Sequence, residues 1–216
     1  EYRRQRQMCI RDRYIGVLWM VFSLSILQAK EIKMSSPDEK YQFTLSDEGG
    51  NLHYSLNWNA KETIKPSLLG IKANTIWRDH LSLGDMTTAE QDTVWHPVYG
   101  ERSTIKDQYK AWSVVINRQN SRDKLVLDIR AYNEGIAFRY RFPGGQYLKI
   151  TDEFTEYTLP EGTKAYFTSR AQTPYEFLPL EGWPGESDRP LLLTLPEGPY
   201  VCLAEAQVVD LSLIHI

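Results

Sequence analysis

Residues 173–186, TPYEFLPLEGWPGE, contain three carboxylates among aromatic side chains. The acids are Glu176, Glu181 and Glu186, and Phe177 follows the first of them directly. Three prolines interrupt the segment, and proline disrupts the hydrogen bonding of helices and strands alike. The segment is therefore either a solvated loop with a few anchoring rings, or a place where one acid is held for a partner that lies elsewhere.

A second candidate for chemistry is WHPVYGE, residues 95–101, in which His96 precedes Glu101 by a short interval. The two could form an acid–base pair or ligate a metal. However, His53 and His80 are too distant in the sequence to give a zinc-like spacing, and a fourth histidine lies in the last residues of the chain. We predict a turn, with Glu101 opening the next strand, and keep contact with an interface or substrate edge as the alternative. The residues expected to provide the packing and the turn are Trp95, Pro97, Tyr99 and Gly100.

Alternating apolar and polar residues predict the strands that would position these side chains. Residues 40–59 alternate on both sides of Gly49 and Gly50, which indicates a tight hairpin. Residues 111–143 predict three more strands, WSVVIN, KLVLDIRAY and IAFRYRF, with a hairpin turn at 133–135 because Asn and Gly tolerate positive φ. In the last of these, alternate apolar side chains share one face, while Arg139 and Arg141 share the other. Further strands are predicted in YLKITDEFTEYTLP, KAYFTS, PLLLTLP and YVCLAEAQVV.

These short, closely spaced strands predict an all-β fold, an antiparallel β-sandwich formed by one domain. The 12% aromatic content is enough for a sizeable core. The net charge is −3 with the basic residues scattered, so no basic stripe suggests nucleic-acid binding. Composition and periodicity alone leave the function open, because β-sandwiches serve as lectins, adhesins, enzyme modules and spacers.

The two cysteines limit the covalent chemistry. Cys9 lies in the leader, so Cys202 stands alone in the mature part, which allows neither an internal disulfide nor a cysteine-rich zinc site. Cys202 belongs to the apolar run YVCLAEA, and we predict a buried small hydrophobic residue. Glu205, in the same run, is expected to be a strand residue near an interface.

The N-terminal residues have the features of a secretory leader. Basic residues at 11–13 precede an apolar stretch at 15–27 and a small residue, Ala29, at the exit. We assign residues 14–29 to a signal peptide, because about 13 apolar residues are too few to span the bilayer comfortably. A membrane anchor is the alternative. The mature protein would then begin near Lys30 and be soluble outside the cytoplasm, in the periplasm.

The extreme ends have a different character. RQRQMCIRDR within residues 1–13 and LSLIHI at 211–216 resemble translated sequencing-adapter reads. We therefore expect residues 30–210 to be the genuine domain, and the chain to be an N-terminal fragment of a longer protein.

Four motifs occur in order over residues 35–143: SSPDEKYQFTL, IKPSLLGI, WHPVYGERSTIKDQY and LDIRAYNEGIAFRYRFP. Together they resemble the N-terminal domain of glycoside hydrolase family 97, the SusB-like α-glucosidases and α-galactosidases of Bacteroidetes. The similarity continues through AYFTSRAQTPYEF and YVCLAEAQVVD, so it covers residues 33–210. It implies a galactose-mutarotase-like β-super-sandwich, followed in the full-length protein by a catalytic (β/α)₈ barrel and a small C-terminal β-domain.

The resemblance also implies which roles belong to the N-terminal domain and which to the catalytic barrel. The two catalytic carboxylates of a glycosidase would lie on the barrel, so no residue present here is assigned a catalytic role, and we predict that the fragment alone is inactive. The N-terminal domain would donate one glutamate to a calcium ion beside the catalytic centre. The family pattern of an aromatic strand, an irregular stretch and then Glu plus an aromatic matches Ala165–Phe167 followed by Glu176 and Phe177, so Glu176 is the implied calcium ligand. YFTSRAQTP departs from the family pattern at Phe167 and Ser169.

Two functions remain. The first is the supporting domain of a secreted, calcium-dependent, exo-acting α-glycosidase that acts on α-linked oligosaccharides. The second is a stand-alone carbohydrate-binding module without chemistry of its own. A sandwich lectin would need an exposed aromatic platform, whereas Trp58, Trp77 and Trp112 lie in strand-like contexts and are expected in the core. Glu181 and Glu186 are expected to be surface acids.

Overall fold

The computed structural model describes residues 29–144 and 148–206, and in these residues the fold is all-β with a single 3-10 turn at Glu48–Gly50. Every strand pairing is antiparallel, and the strands form four sheets. The predicted signal peptide, apart from Ala29, and both terminal segments lie outside the described residues. No helix in the described part is long and apolar enough to cross a membrane.

The first two sheets contain the strands that the alternation predicts in residues 40–59 and 111–143, together with three strands that it did not predict, at Glu31–Ser35, Lys61–Leu69 and Leu81–Trp95. The first sheet has the order β1-β2-β3-β4 and the second the order β10-β9-β8-β7. The strands of the first sheet are β1 (Glu31–Ser35), β2 (Tyr41–Ser46), β3 (Leu52–Trp58) and β4 (Lys61–Leu69). Those of the second are β7 (Leu81–Trp95), β8 (Ile105–Arg118), β9 (Lys124–Tyr132) and β10 (Ile136–Arg141).

These two sheets pack face to face over one hydrophobic core, as expected for a sandwich. Buried side chains from alternate positions of both sheets, such as Phe43, Leu45, Leu127 and Ile129, belong to the same cluster. In β10 the apolar side chains also pack on this core while the arginines are exposed, which confirms the predicted division of its two faces. The turn at 133–135 is confirmed as well. However, neither its Asn nor its Gly adopts positive φ, so our reason for that turn was wrong.

The second sheet contains a long hairpin formed by β7 and β8. These strands pair from Leu81↔Arg118 to Trp95↔Ile105, whereas β9 pairs with β8 only from Tyr109 onward. The residues of β8 before Tyr109 therefore pair with β7 alone, as a two-stranded ribbon that has no third strand among the described residues. The second sheet thus carries an arm that projects past the sandwich.

The third sheet is small and has the order β11-β5-β6, with β5 (Ile71–Lys72), β6 (Ile76–Trp77) and β11 (Asp152–Glu153). We had predicted one long strand in residues 147–160, but only β11 forms, and residue 147 lies outside the described part. The rest of this segment still runs antiparallel to residues 65–72, through bonds such as Phe154 N–H to Gly70 O at 2.8 Å and Lys65 N–H to Thr158 O at 2.8 Å. These bonds are too intermittent for a continuous ladder.

The fourth sheet has the order β13-β12-β14-β15 and carries the candidate site. Its strands are β12 (Lys164–Phe167), β13 (Glu176–Pro179), β14 (Leu191–Thr194) and β15 (Tyr200–Leu203). The side chains of one face form a second hydrophobic cluster, with Ala165, Leu191 and Leu193 buried and Leu159, Leu180 and Trp183 packed against them. Leu159 contacts both clusters and so links this sheet to the sandwich.

Candidate functional site

Glu176 is the first residue of β13, an edge strand of the fourth sheet. We had expected it in a loop between aromatic anchors, but the strand begins at this residue. Its register partner is Phe167, so both side chains lie on the face that packs on the second cluster. The Glu176 carboxylate is nevertheless exposed and makes no hydrogen bond or ion pair within the described residues. It is therefore available to a partner.

Residues 168–175, between β12 and β13, form a turn that its own hydroxyl groups hold closed. The Thr168 and Thr173 Oγ1 atoms are 2.6 Å apart, and Thr173 Oγ1 donates to Arg170 O at 2.8 Å. Gln172 adopts positive φ at 69°, which completes the tight reversal. This network fixes the direction in which the chain enters β13, and hence the position of Glu176.

The same turn is tied to residues 187–188. Ser187, which is fully buried, donates from Oγ to Thr168 O at 3.2 Å, and Asp188 N–H donates to that oxygen at 2.7 Å. Two separate segments therefore meet at Thr168. These bonds stabilise the end of the sheet without using any carboxylate of residues 173–186.

Aromatic contacts support only one side of this region. Phe167 packs edge-on against Trp183 with ring centroids 4.9 Å apart, and Trp183 contacts the second cluster. Phe177 packs on Tyr166 at 4.7 Å, yet 48% of it remains exposed. Tyr175, on the other side of Glu176, is 63% exposed.

An open depression of about 640 Å³ lies beside this end of the sheet. Its lining consists of Phe167, Ser169, Arg170, Pro184 and Glu186. Glu181 and Glu186 are both exposed, as predicted for surface acids. Since Phe167 pairs with Glu176, the depression and the candidate ligand share one rim of the domain.

The donor set decides whether this rim could hold calcium by itself. Calcium takes six to eight oxygen ligands, usually including several carboxylates. Within residues 29–144 and 148–206, no three His, Cys, Asp or Glu side chains come together as a metal site. Glu176 therefore fits the role of one ligand in a site completed by another part of the protein, and does not fit a site of its own.

The structure does not bring His96 and Glu101 together as an acid–base pair. His96 Nδ1 lies 2.9 Å from Ser103 O, a backbone contact within the turn. Glu101 is exposed and does not open a strand, because β8 begins at Ile105. The predicted packing is also wrong, since Tyr99 is 90% exposed at the end of the projecting hairpin.

Glu205 lies beyond the end of β15 and not within a strand, which corrects our expectation. Its carboxylate forms an ion pair with Arg189, whose side chain is only 7% exposed. Removing Glu205 would leave a nearly buried guanidinium without this partner. The structure therefore gives Glu205 a structural contact inside the domain.

Cys202 is exposed, and our prediction of burial is wrong. The apolar run that suggested burial forms β15, in which neighbouring side chains point to opposite faces. Val201 and Leu203 pack on the second cluster, which leaves Cys202 on the other face. The predicted placement of the tryptophans is better: Trp77 is buried, Trp112 packs on the first core, and Trp58 is half-buried.

An ion cluster that was not predicted from the sequence lies on the outer face of the second sheet. Asp128 accepts two hydrogen bonds from Arg141, at 2.8 and 3.0 Å, one from Arg139 at 3.2 Å and one from Ser113 at 2.6 Å. Burial acts to raise the pKa of Asp128, but the hydrogen bonds from Arg141, Ser113 and Arg139 outweigh it and lower the pKa to about 2. The signal in the sequence was an acid at an outward position in the middle of β9, two residues before Arg130. One acid pairs with two arginines of the neighbouring strand and with Ser113 of the strand on its other side, so the cluster ties three strands of the sheet together.

Comparisons with known proteins agree with the geometry. A model of the family described as Glycosyl-hydrolase 97 N-terminal matches residues 34–216. A retaining alpha-galactosidase from Bacteroides thetaiotaomicron is 22% identical over 151 residues, which is 69% of this chain but 22% of that protein.

Solved structures show the same fold. A glycoside hydrolase family 97 enzyme from Pseudoalteromonas sp. strain K8, in complex with acarbose, superposes with a TM-score of 0.77 at 23% identity, covering 83% of this chain and 29% of that one. A beta-arabinopyranosidase superposes with a TM-score of 0.72 at 21% identity, covering 79% and 31%. The chain thus spans less than a third of the length of each relative.

Proposed function

Because the chain belongs to the Glycosyl-hydrolase 97 N-terminal family, we propose that it is the N-terminal domain of a secreted, calcium-dependent, exo-acting α-glycosidase of the periplasm. The observation that carries this proposal is the family match over residues 34–216, together with the small share of each full-length relative that the chain covers. The relatives include a retaining α-galactosidase and an enzyme solved with acarbose. We therefore infer an α-linked oligosaccharide as substrate, cleaved by an α-glucosidase or an α-galactosidase.

The domain's part in this reaction is supporting. Glycoside hydrolysis requires two carboxylates that flank the scissile bond, and we place both in a (β/α)₈ barrel outside this sequence. The sandwich would pack on that barrel and shape the mouth of its active site. The open rim that carries Glu176 and the neighbouring depression supports this arrangement.

Glu176 is the residue we infer to reach the calcium ion. It is exposed, it has no side-chain partner among the described residues, and the hydroxyl network of residues 168–175 fixes the path of the chain into it. A carboxylate held in this way can coordinate a metal ion with little loss of conformational entropy, because its backbone is already fixed. The ion would supply a local positive charge that polarises the substrate or tunes a neighbouring acid.

The test begins with the complete reading frame from the same genome. The full-length protein should hydrolyse p-nitrophenyl α-glucoside or α-galactoside, lose turnover on chelation and recover it with calcium. The 216-residue chain alone should release no nitrophenol. Turnover by the isolated chain, or chelator-resistant activity of the full-length enzyme, would contradict the proposal.

A further inference from the structure

The outer face of the fourth sheet carries an apolar row that crosses all four strands. The register pairs Phe177 with Tyr166, Tyr166 with Leu192, and Leu192 with Cys202. Residues paired directly across antiparallel strands point to the same face. The row Phe177–Tyr166–Leu192–Cys202 is therefore continuous, and none of its four residues is buried.

The next row in the same register is only partly polar. It runs from Pro179 through Lys164 and Thr194 to Tyr200, which is 66% exposed. Lys164 lies over the ring of Phe177, with Nζ 5.5 Å from the centroid. The two rows together therefore contain exposed rings and aliphatic groups and one charged side chain, Lys164.

The outer faces of the two larger sheets differ from this one. In the first sheet the corresponding row is Lys33–Thr44–Ser55, and in the second it is Ser113–Asp128–Arg139. Both rows are polar or charged, as expected where one face of an antiparallel sheet meets water. The fourth sheet lacks that alternation, and its opposite face already packs on the second cluster. Both faces of this sheet are therefore built for burial.

We propose that this outer face, the row from Phe177 to Cys202, docks against the polypeptide that follows this domain in the full-length protein. The inference rests on the proposed function, which makes the chain the first part of a longer enzyme. The chain covers less than a third of each relative, and the family that it matches is an N-terminal one, so most of each relative's length follows the matched domain. A contiguous exposed apolar patch marks a contact surface.

The chemistry of the face favours protein over carbohydrate. A sugar site combines a stacking ring with several polar groups that hold its hydroxyls. These two rows offer only the Lys164 ammonium and the Tyr200 phenol, since the Thr194 hydroxyl is buried. Cys202, Leu192 and Pro179 provide no such donors. The expected partner surface is accordingly apolar.

Cys202 provides a direct probe of this contact, because a thiol reacts with a disulfide reagent only where the reagent has access. The test uses the 216-residue chain and the full-length protein, both with Cys9→Ser, and follows the reaction of Cys202 with 5,5′-dithiobis(2-nitrobenzoate). The control replaces Cys202 with serine and places the thiol at Ser82, an exposed outward position of β7. We expect Cys202 to react readily in the isolated chain and roughly tenfold or more slowly in the full-length protein, while the thiol at position 82 reacts equally in both.

Equal reactivity of Cys202 in the two proteins would overturn the proposal. Protection that already appears in the isolated chain and rises with its concentration, with a dimer in sedimentation, would assign the face to a second copy and also overturn it. Phe177→Ser in the full-length protein should restore part of the Cys202 reactivity. Glycosidase activity measured on the same samples separates the two hypotheses, since an active, calcium-dependent enzyme with a freely reactive Cys202 refutes only the docking face.

Discussion

Glu176 lies directly opposite Phe167 across the β12–β13 pair, yet the phenylalanine is buried and the glutamate is exposed. Both side chains point to the same face of the sheet. Glu176 avoids the core because β13 is an edge strand and begins at this residue. Glu176 therefore points to the core side of the fourth sheet but lies at the edge of that sheet, where its carboxylate is exposed.

The first prediction concerns this acid. Glu176→Gln in the full-length protein should weaken calcium binding by about tenfold or more, since it removes one charged ligand, and should raise the calcium concentration needed for half-maximal activity. The free energy of unfolding should change by less than about 0.5 kcal/mol, because the side chain is exposed and has no partner in the part of the chain that the structure describes. Calorimetric titration with calcium and urea unfolding would measure the two effects. Glu181→Gln, an exposed acid on the same segment, is the control, and equal calcium affinity in the two variants would exclude Glu176 as a ligand.

The second prediction follows from the pKa of Asp128, which is lowered from 3.8 to about 2. A lowered pKa in the folded state means that the charged form stabilises the fold above pH 4, and that this contribution disappears as the pH falls through 2. Asp128→Asn should therefore reduce the free energy of unfolding by roughly 1–2 kcal/mol at pH 7. The difference from the natural sequence should shrink toward pH 2.

Urea denaturation of the chain at several pH values would test this dependence. Asp123→Asn, at an exposed loop position, provides the reference for removing a surface carboxylate. A destabilisation of Asp128→Asn that stays constant from pH 7 to pH 2 would show that the arginine contacts are not responsible.

The third prediction concerns the segment that runs beside β4 and β5. Tyr54 is buried in the first core and donates from its hydroxyl to Glu156 O at 2.7 Å. Tyr54→Phe should cost about 1 kcal/mol, because the ring still packs while the carbonyl loses its partner. Thermal or urea unfolding would measure the loss. Tyr41→Phe should cost less, since its bond to Glu134 O is long, at 3.3 Å, and exposed.

The fourth prediction concerns Gly84, at the register shift of β7 between Leu83 and Met86. A Cβ here would lie 2.5 Å from Asn117 Nδ2 and 3.0 Å from Val115 O. Gly84→Ala should therefore destabilise the chain by about 1–3 kcal/mol, the usual cost of forcing an extra group into a packed site. Gly135→Ala is the matched control, because no atom lies within 4 Å of its added Cβ. Equal unfolding midpoints for the two variants would refute the steric argument.

Alternation identified β2, β3, β8, β9 and β10, whose two faces have different surroundings, but it did not identify their neighbours at the sheet edges. In β10 the apolar and arginine positions were predicted correctly, because one face meets the core and the other meets water. The segment at 148–160 has a similar pattern, but its backbone bonds to residues 65–72 are interrupted, and a sequence pattern does not report its partner. The strand prediction failed there for that reason.

Cys202 illustrates a different limit. The run YVCLAEA is apolar at consecutive positions, which is typical of a strand buried on both faces. The described structure covers only the face that carries Val201 and Leu203. Whether the other face is covered depends on a layer that local sequence does not encode. The position of Glu176 at the edge of the sheet could not be predicted from the sequence either, since it depends on where an edge strand begins.

The β7–β8 hairpin gives a single strand two different environments. The part of β8 from Tyr109 onward lies between two partners, whereas the part before it pairs only with β7. An isolated two-stranded ribbon is marginally stable in water. Amide protons of the outer part should therefore exchange with deuterium through local opening, at rates that do not depend on the denaturant concentration. Those from Val114 to Asn117 should exchange only when the whole domain unfolds. One continuous strand would then contain both rapidly exchanging and slowly exchanging amide protons.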